Sequence, residues 1–163
     1  GLPVLSERKP TMSTILAIDP GKGGAIALFR NGQPEWVEKW SDEWEMSNLV
    51  LDVQNAFADV TAIIENVHSM PGQGVVSMFS FGENYGIWRG ILIALGIPHE
   101  RVSPQKWQAF YGLSSIYKGA DRKRRLCMLA KERFPSMKPT LKTCDALLLG
   151  NYAVQTDKRL NHL

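Results

Sequence analysis

The chain has 163 residues, which is enough for one domain with a sizeable core and too few for two ordinary domains. Hydrophobic residues make up 44% of it and charged residues 21%, so the composition excludes a disordered, collagen-like or coiled-coil protein. The net charge is only +3, but it is unevenly distributed. Residues 118–142 carry a net +7 and the rest of the chain a net −4, which favours a polyanionic partner for the basic segment.

The two cysteines, Cys127 and Cys144, lack the close spacing to other Cys or His residues that a zinc site requires. We therefore expect a reduced, intracellular protein that is not secreted. The apolar runs are much shorter than the roughly 18 residues needed to span a bilayer, so we expect no membrane partner. Residues 1–11 have no periodicity and precede a methionine, and we interpret them as a vector-derived remnant before a single domain over residues 12–163.

The first half of the chain predicts a sheet followed by a helix. Short β-rich runs at residues 14–18 and 25–29, and a third run around Trp36, are joined by tight turns and indicate an antiparallel meander. Ser41 is expected to cap a helix whose apolar residues recur from Trp44 to Phe57.

The second half alternates strands and helices. A β-branched run at 60–65 lacks alternation and indicates a buried parallel strand. Later elements are predicted as a long helix at 75–95, a strand at 100–102, a helix from Ser103 to Tyr111, a basic helix at 121–134 and a last helix at 145–153. This order indicates an α/β layer arrangement.

Two of the predicted strands end in a carboxylate, Asp19 and Glu65. Taken alone, Asp19 is more simply explained as the start of a turn, because Pro20 and Gly21 follow it. If the two strands are parallel neighbours, however, both acids lie at one edge of the sheet. Such carboxylates repel each other unless they share a cation, and Mg²⁺ is the ion that suits oxygen donors without thiols or imidazoles.

Asp145 is the third candidate, because it begins an otherwise apolar helix. An acid there can cap the helix and still turn an oxygen toward a metal. A phosphate-binding loop around Lys22 is a weaker alternative, since the required glycine, lysine and serine spacing is absent. As a set with matching placement, the three acids predict a Mg²⁺ site.

Five segments of this chain resemble the RuvC-like Holliday junction resolvases of the RNase H-like superfamily, especially their phage and organellar branch. The segments are IDPGKGGAIA (18–27), IENVHSMPGQG (64–74), SMFSFG (77–82), VSPQKW (102–107) and DALLL (145–149). The resemblance implies an α/β, RNase H-like fold with a five-stranded mixed sheet flanked by helices. It also implies a homodimer that makes paired, symmetric, Mg²⁺-dependent nicks in a four-way DNA junction, in the cytoplasm of a bacterial or phage-infected cell or in an organelle nucleoid.

The resemblance further assigns the acids. Asp19 matches the family's first-strand aspartate, Glu65 its fourth-strand glutamate and Asp145 the acid on its last helix. These residues would hold two Mg²⁺ ions, for which Mn²⁺ can substitute, with no small-molecule cofactor. Asp19 would bridge both ions.

The chain departs from the family at one metal ligand. Family members usually have a further Asp or His three or four residues before the helical acid, and this chain has Lys142 and Leu141 there. His68 and Asp121 are the candidate replacements.

The predicted DNA contacts lie in the basic segment and around the long helix. They are Lys22, Gln73, Phe79, Phe81, Lys106, Lys118, Arg122, Lys123 and Arg125. Lys22 or Lys118 is also expected to offset charge at the reacting phosphate. One of Phe79 and Phe81 is expected in the core, and a solvated helix face is the simpler explanation of the charge run. Two rival functions remain: a junction-binding protein with little or no catalysis, and a nuclease for other branched DNA or RNA/DNA hybrids.

Overall fold

The computed structural model describes residues 13–66, 72–113 and 117–157. Its strands are β1 (Thr14–Asp19), β2 (Ala25–Arg30), β3 (Gln33–Lys39), β4 (Val60–Glu65) and β5 (His99–Val102). Its helices are α1 (Glu43–Ala56), α2 (Val75–Ala94), α3 (Pro104–Ala109), α4 (Gly119–Arg133) and α5 (Cys144–Thr156), with a 3₁₀ turn at Pro135–Met137. The predicted remnant at residues 1–11 lies outside the described residues.

The five strands form one mixed sheet in the order β3-β2-β1-β4-β5. β1, β2 and β3 pair antiparallel, whereas β1 pairs with β4, and β4 with β5, in parallel. The predicted meander, the buried parallel strand and the five-stranded mixed sheet are therefore confirmed.

Helices cover both faces of this sheet. In β1, Ile15 and Ala17 pack into one core with α3, α4 and α5, while Leu16 and Ile18 pack into a second core with α1 and α2. Successive strand residues point to opposite faces, so a strand between two helical layers must be apolar throughout. This explains why β1 and β4 lack polar alternation.

The start of α1 differs from the prediction. Asp42, not Ser41, is the capping residue, and its side chain accepts a hydrogen bond from the Glu45 backbone N–H at 2.8 Å. Trp44 is 75% exposed and does not belong to the core, which α1 enters through Met46, Val50 and Val53. The helical spacing of the apolar residues was predicted correctly, but the burial of Trp44 was not.

The other helices keep their predicted identities with shifted ends. α2 is continuous across its three internal glycines, and α3 begins with Pro104 after a Ser103 cap but ends two residues before Tyr111. α4 begins at Gly119, earlier than predicted, and α5 runs on to Thr156. None of the helices in the described part of the chain combines the length and hydropathy that a bilayer-spanning segment requires.

α5 packs closely against the sheet. All its residues from Ala146 to Tyr152 are buried, and a Cβ atom added to Gly150 would overlap the Phe29 ring on β2. This contact allows α5 to pack closely against β2.

The cysteines are paired, contrary to the expectation of a reduced protein. Cys127 on α4 and Cys144 at the start of α5 form a disulfide, with their Cα atoms 5.2 Å apart. Residues 17 positions apart are neighbours here because α4 packs against α5. The sequence spacing contained no information on that packing.

Reduction of this disulfide is expected to lower the free energy of unfolding by about 3 kcal/mol, because it releases a loop of moderate length in the unfolded chain. Thermal unfolding with and without reductant measures the effect, and a Cys127→Ser/Cys144→Ser double variant, insensitive to reductant, is the control. Two reactive thiols in the native, untreated protein would contradict the pairing.

Candidate functional site

Three acids from distant parts of the chain meet at one edge of the sheet. Asp19 is the last residue of β1 and Glu65 the last of β4, and these strands are parallel neighbours. Asp145 lies in the first turn of α5. The charge of Asp145 acts on both Asp19 and Glu65, so all three carboxylates lie within electrostatic range of one another.

The Glu65 carboxylate is held by an indole. Its Oε2 accepts a hydrogen bond from Trp107 Nε1 at 2.7 Å, and the Trp107 side chain is completely buried at the base of α3. Burial raises the pKa of Glu65 to about 7, and the charge of Asp145 also raises it, while the Trp107 bond and Lys123 act in the opposite direction. The indole therefore orients the Glu65 carboxyl group, whose raised pKa lies close to neutral pH.

The Asp19 carboxyl is influenced by both of the other acids. Burial raises the pKa of Asp19 well above its usual value, and the charges of Asp145 and Glu65 raise it further. Lys123 opposes this rise. A buried acid destabilised by two other acids is the arrangement that an added cation would relieve.

Asp145 does not cap α5 with its side chain. Thr143 occupies the capping position, and Asp145 Oδ2 instead forms an ion pair with Lys123 Nζ of α4 at 3.0 Å. Both side chains are partly shielded from water. Lys123, predicted from the sequence as a DNA contact, therefore contacts one of the three acids.

The donor set consists of carboxylate oxygens, which are the ligands that hard divalent cations select. Three carboxylates face one lysine, which leaves a deficit of positive charge. Among the described residues, no three Asp, Glu, His or Cys side chains are close enough together to ligate one ion. This does not exclude Mg²⁺, because Mg²⁺ commonly uses one or two carboxylates and keeps water or substrate oxygens in its other positions.

Of the two candidate replacement ligands, Asp121 is not part of this group. Asp121 is 70% exposed on its side chain and pairs with Arg124 at 3.5 Å. Leu141 and Lys142 are exposed. His68 lies outside the described residues.

The predicted DNA contacts of the basic segment line α4. Lys118 and Arg125 are exposed, and Arg122 is half-buried. The Arg125 guanidinium stacks over the Tyr117 ring, 3.8 Å from its centroid. Lys123 of the same helix contacts Asp145, so α4 lies beside the acids, whereas Lys118 and Arg125 lie on another face of this helix.

The DNA contacts predicted around α2 differ in their exposure to solvent. Gln73 and Phe79 are exposed, and the Phe79 side chain retains 74% of its accessible surface. Phe81 is half-buried and packs beneath Gly21, where an added Cβ would come within 2.8 Å of its ring. Only Phe79 is free for stacking.

Two predicted lysines lie away from the acids. Lys22 lines a cavity of about 460 Å³ with Trp40 and Glu83. Lys106 faces a cavity of about 720 Å³ that is bounded by the start of β4 and the end of α5, opposite the edge that carries the acids. Neither is among the charges that shift the pKa of Asp19 or Glu65.

Sequence reasoning missed the contacts of Trp107 and Lys123 with the acids. Trp107 stands in a segment that resembles the family, which marked the position without its role. Lys123 is one of four consecutive basic residues, so nothing local distinguishes it from its neighbours.

The fold is that of RuvC. T. thermophilus RuvC in complex with Holliday junction substrate superposes with a TM-score of 0.61 at 15% identity, covering 91% of this chain and 97% of that one. A second Thermus thermophilus RuvC structure gives a TM-score of 0.53 at 15% identity, covering 85% and 92%. No protein-family model and no curated protein matches the sequence. The chain therefore has the RuvC-type, RNase H-like fold.

Proposed function

We propose that this chain is a metal-dependent endonuclease that resolves four-way DNA junctions by paired, symmetric nicks. The observation that carries the proposal is the convergence of Asp19, Glu65 and Asp145 beside Lys123 of the basic helix α4, on a fold shared with a RuvC solved with a Holliday junction. Acids that could hold Mg²⁺ beside a cationic helix suit a phosphodiester substrate. The proposal includes a place in the phage and organellar branch and action inside the cell or organelle that holds the DNA.

In this proposal Asp19, Glu65 and Asp145 would together hold the Mg²⁺ ions, with Asp19 as the shared ligand. Bound there, the ions would activate a water and stabilise the leaving oxygen of the phosphodiester. Trp107 keeps the Glu65 carboxylate turned into the site through its hydrogen bond. The raised pKa values of Asp19 and Glu65 mean that both acids release protons when they bind metal.

Lys123 has two roles in this proposal. Without metal it compensates the charge of Asp145 through the 3.0 Å ion pair. A metal ion held by Asp145 would compete with this ion pair and would leave the Lys123 ammonium group close to the acids. There its ammonium group would offset the charge that develops at phosphorus.

A second copy of the chain would complete the reaction. Symmetric nicks require two sites related by a two-fold axis, and a four-way junction offers two equivalent strands. We therefore propose a homodimer.

A synthetic four-way junction labelled on each strand tests the function. Wild-type protein with Mg²⁺ or Mn²⁺ is expected to cut two opposite strands at symmetric nucleotides. Scattered products, or equal cutting of flaps and RNA/DNA hybrids, would indicate a broader nuclease. Tight junction binding without cleavage in either metal would indicate a binding protein.

Loss of exposed basic residues of the α4 region, away from the acids, is expected to weaken binding without slowing chemistry. In a Lys118→Ala/Arg125→Ala variant, the slope of log affinity against log salt should decrease by about 2, since each phosphate contact contributes roughly 0.9. Junction binding at several salt concentrations and single-turnover cleavage at saturation measure the two effects.

Lys131 is exposed on α4, about two helical turns beyond Lys123, and provides a matched control. Lys131→Ala should change affinity less than loss of Lys118 or Arg125, because Lys131 lies at the opposite end of α4. An equal effect would place the DNA elsewhere on α4.

A further inference from the structure

The sheet has no backbone pairing between its two strand-end acids. Pairing between β1 and β4 stops at Ile18 and Ile64, one residue before the acids. Asp19 pairs outward with β2, and Glu65 pairs outward with β5. The charge of Glu65 raises the pKa of Asp19, so the two carboxylates repel each other just beyond the point where the pairing of their strands ends.

Helix α2 joins the two strand ends instead. The Asn84 Oδ1 atom accepts a hydrogen bond from the Gly21 backbone N–H at 2.7 Å, two residues after Asp19. The Tyr85 hydroxyl donates to Asn66 Oδ1 at 3.0 Å, one residue after Glu65. Consecutive residues of one helix therefore contact the chain just beyond both acids.

The contact with Gly21 is closely fitted. Gly21 has a φ of +108°, which disfavours other residues, and the Phe81 ring packs directly against it. Phe81, Asn84 and Tyr85 are three and four residues apart, so they share one face of α2. This face meets both strand ends.

Asn84 is an unusual residue for its position. It is 97% buried, yet within the described residues its Nδ2 atom has no hydrogen-bond partner. Burial of an unsatisfied amide is unfavourable, so an apolar side chain would pack there with less penalty. The bond that Asn84 does make, to Gly21, is the contact that an apolar residue would lose.

The C-terminal half of α2 anchors the helix to the core. Trp88 and Leu92 are completely buried, and Trp88 makes an edge-to-face contact with Trp40 at 5.4 Å between ring centroids. By contrast, Val75, Val76 and Phe79 in the first turns are exposed. The core thus holds the part of α2 that follows Asn84 and Tyr85. Through their hydrogen bonds to Gly21 and Asn66, these two residues connect the anchored helix to the strand ends that carry the acids.

We propose that Asn84 and Tyr85 are positioning residues that hold Asp19 and Glu65 at the spacing needed to bind a divalent cation. They act through Gly21 and Asn66 and do not touch the metal or the DNA. The inference rests on the proposed metal-dependent function and identifies what sets the geometry of its site.

Mn²⁺ binding to the protein without DNA tests this proposal, measured from the free Mn²⁺ signal by electron paramagnetic resonance. Tyr85→Phe removes a single hydroxyl, and Asn84→Ala removes the acceptor for Gly21. Loss of one hydrogen bond of ordinary strength predicts that each variant weakens Mn²⁺ binding by about threefold to tenfold. Asp19→Asn identifies the fraction of binding that belongs to this site.

Gln54→Met is the matched control. Gln54 Nε2 donates to the Leu95 backbone oxygen at 2.5 Å and so ties α1 to the opposite end of α2. Its loss should lower the melting temperature and leave Mn²⁺ affinity unchanged. Tyr85→Phe is the decisive variant if Asn84→Ala does not fold.

Unchanged Mn²⁺ affinity in folded Tyr85→Phe, or equal weakening in Gln54→Met, would overturn the positioning role. Junction cleavage is measured in parallel for the wild type. If the wild type binds Mn²⁺ at Asp19 but does not cut junctions, the proposed function fails and the positioning role stands. If it binds no Mn²⁺ there, both fail.

Discussion

Asp19→Asn is expected to slow junction cleavage on the order of a thousandfold or more, because the substitution removes the carboxylate proposed to bridge both metal ions. Asparagine preserves the shape of the side chain and relieves the repulsion from Asp145 and Glu65 that raises the Asp19 pKa. The fold should therefore be retained or stabilised. Single-turnover cleavage at saturating junction measures the loss.

Junction affinity separates this prediction from a general loss of function. Asp19→Asn removes a negative charge near the DNA backbone, so binding should be unchanged or slightly tighter. Asp52→Asn, at an exposed position on α1, is the matched control and should cleave normally. Retained cleavage in Asp19→Asn would show that the proposed metal site is not needed for the reaction.

Glu65 is expected to make metal use strongly pH-dependent. Burial raises the pKa of Glu65 to about 7, and a carboxyl group must lose its proton to ligate Mg²⁺. Below that pH, the Mg²⁺ concentration for half-maximal cleavage should rise by about tenfold or more for each unit of pH, because Asp19 also gives up a proton on binding metal. Mg²⁺ titrations of cleavage between pH 5.5 and 8 measure the trend, and a midpoint that does not vary with pH would contradict it.

Glu65→Gln should abolish cleavage and yet stabilise the metal-free protein at pH 8. The Glu65 pKa is higher in the folded state than its ordinary value of 4.5, so the folded state binds the proton more tightly. Wild-type stability therefore falls as pH rises from about 4.5 to 7, by on the order of 3 kcal/mol from this residue. Glutamine has no such charge and can still accept the Trp107 hydrogen bond.

Urea unfolding in EDTA at pH 5 and pH 8 checks this expectation. The stability gain of Glu65→Gln over the wild type should be small at pH 5 and large at pH 8, and saturating Mg²⁺ should reduce it. Destabilisation of Glu65→Gln at pH 8 would show that the ionised carboxylate is favourable in the metal-free fold.

Much of the fold was predictable because its signals are local. The strand ending at Asp19, the buried run ending at Glu65 and the helix beginning near Asp145 follow from apolar periodicity and turn residues within a few positions. Parallel pairing of β1 with β4 then places Asp19 and Glu65 together with no further information. The error at Trp44 arose where local spacing was the only guide to burial.

The sequence by itself determined the order of elements and the ends of strands and helices at which the acids lie. Only the tertiary structure decided what each acid contacts: Lys123 for Asp145, Trp107 for Glu65, and α2 for the ends of β1 and β4. It also decided that the cysteines pair. The physical reason is how far apart along the chain the interacting residues lie. Periodicity and turns are properties of neighbouring residues, whereas these contacts join residues between 17 and 63 positions apart and depend on how the helices pack across the sheet.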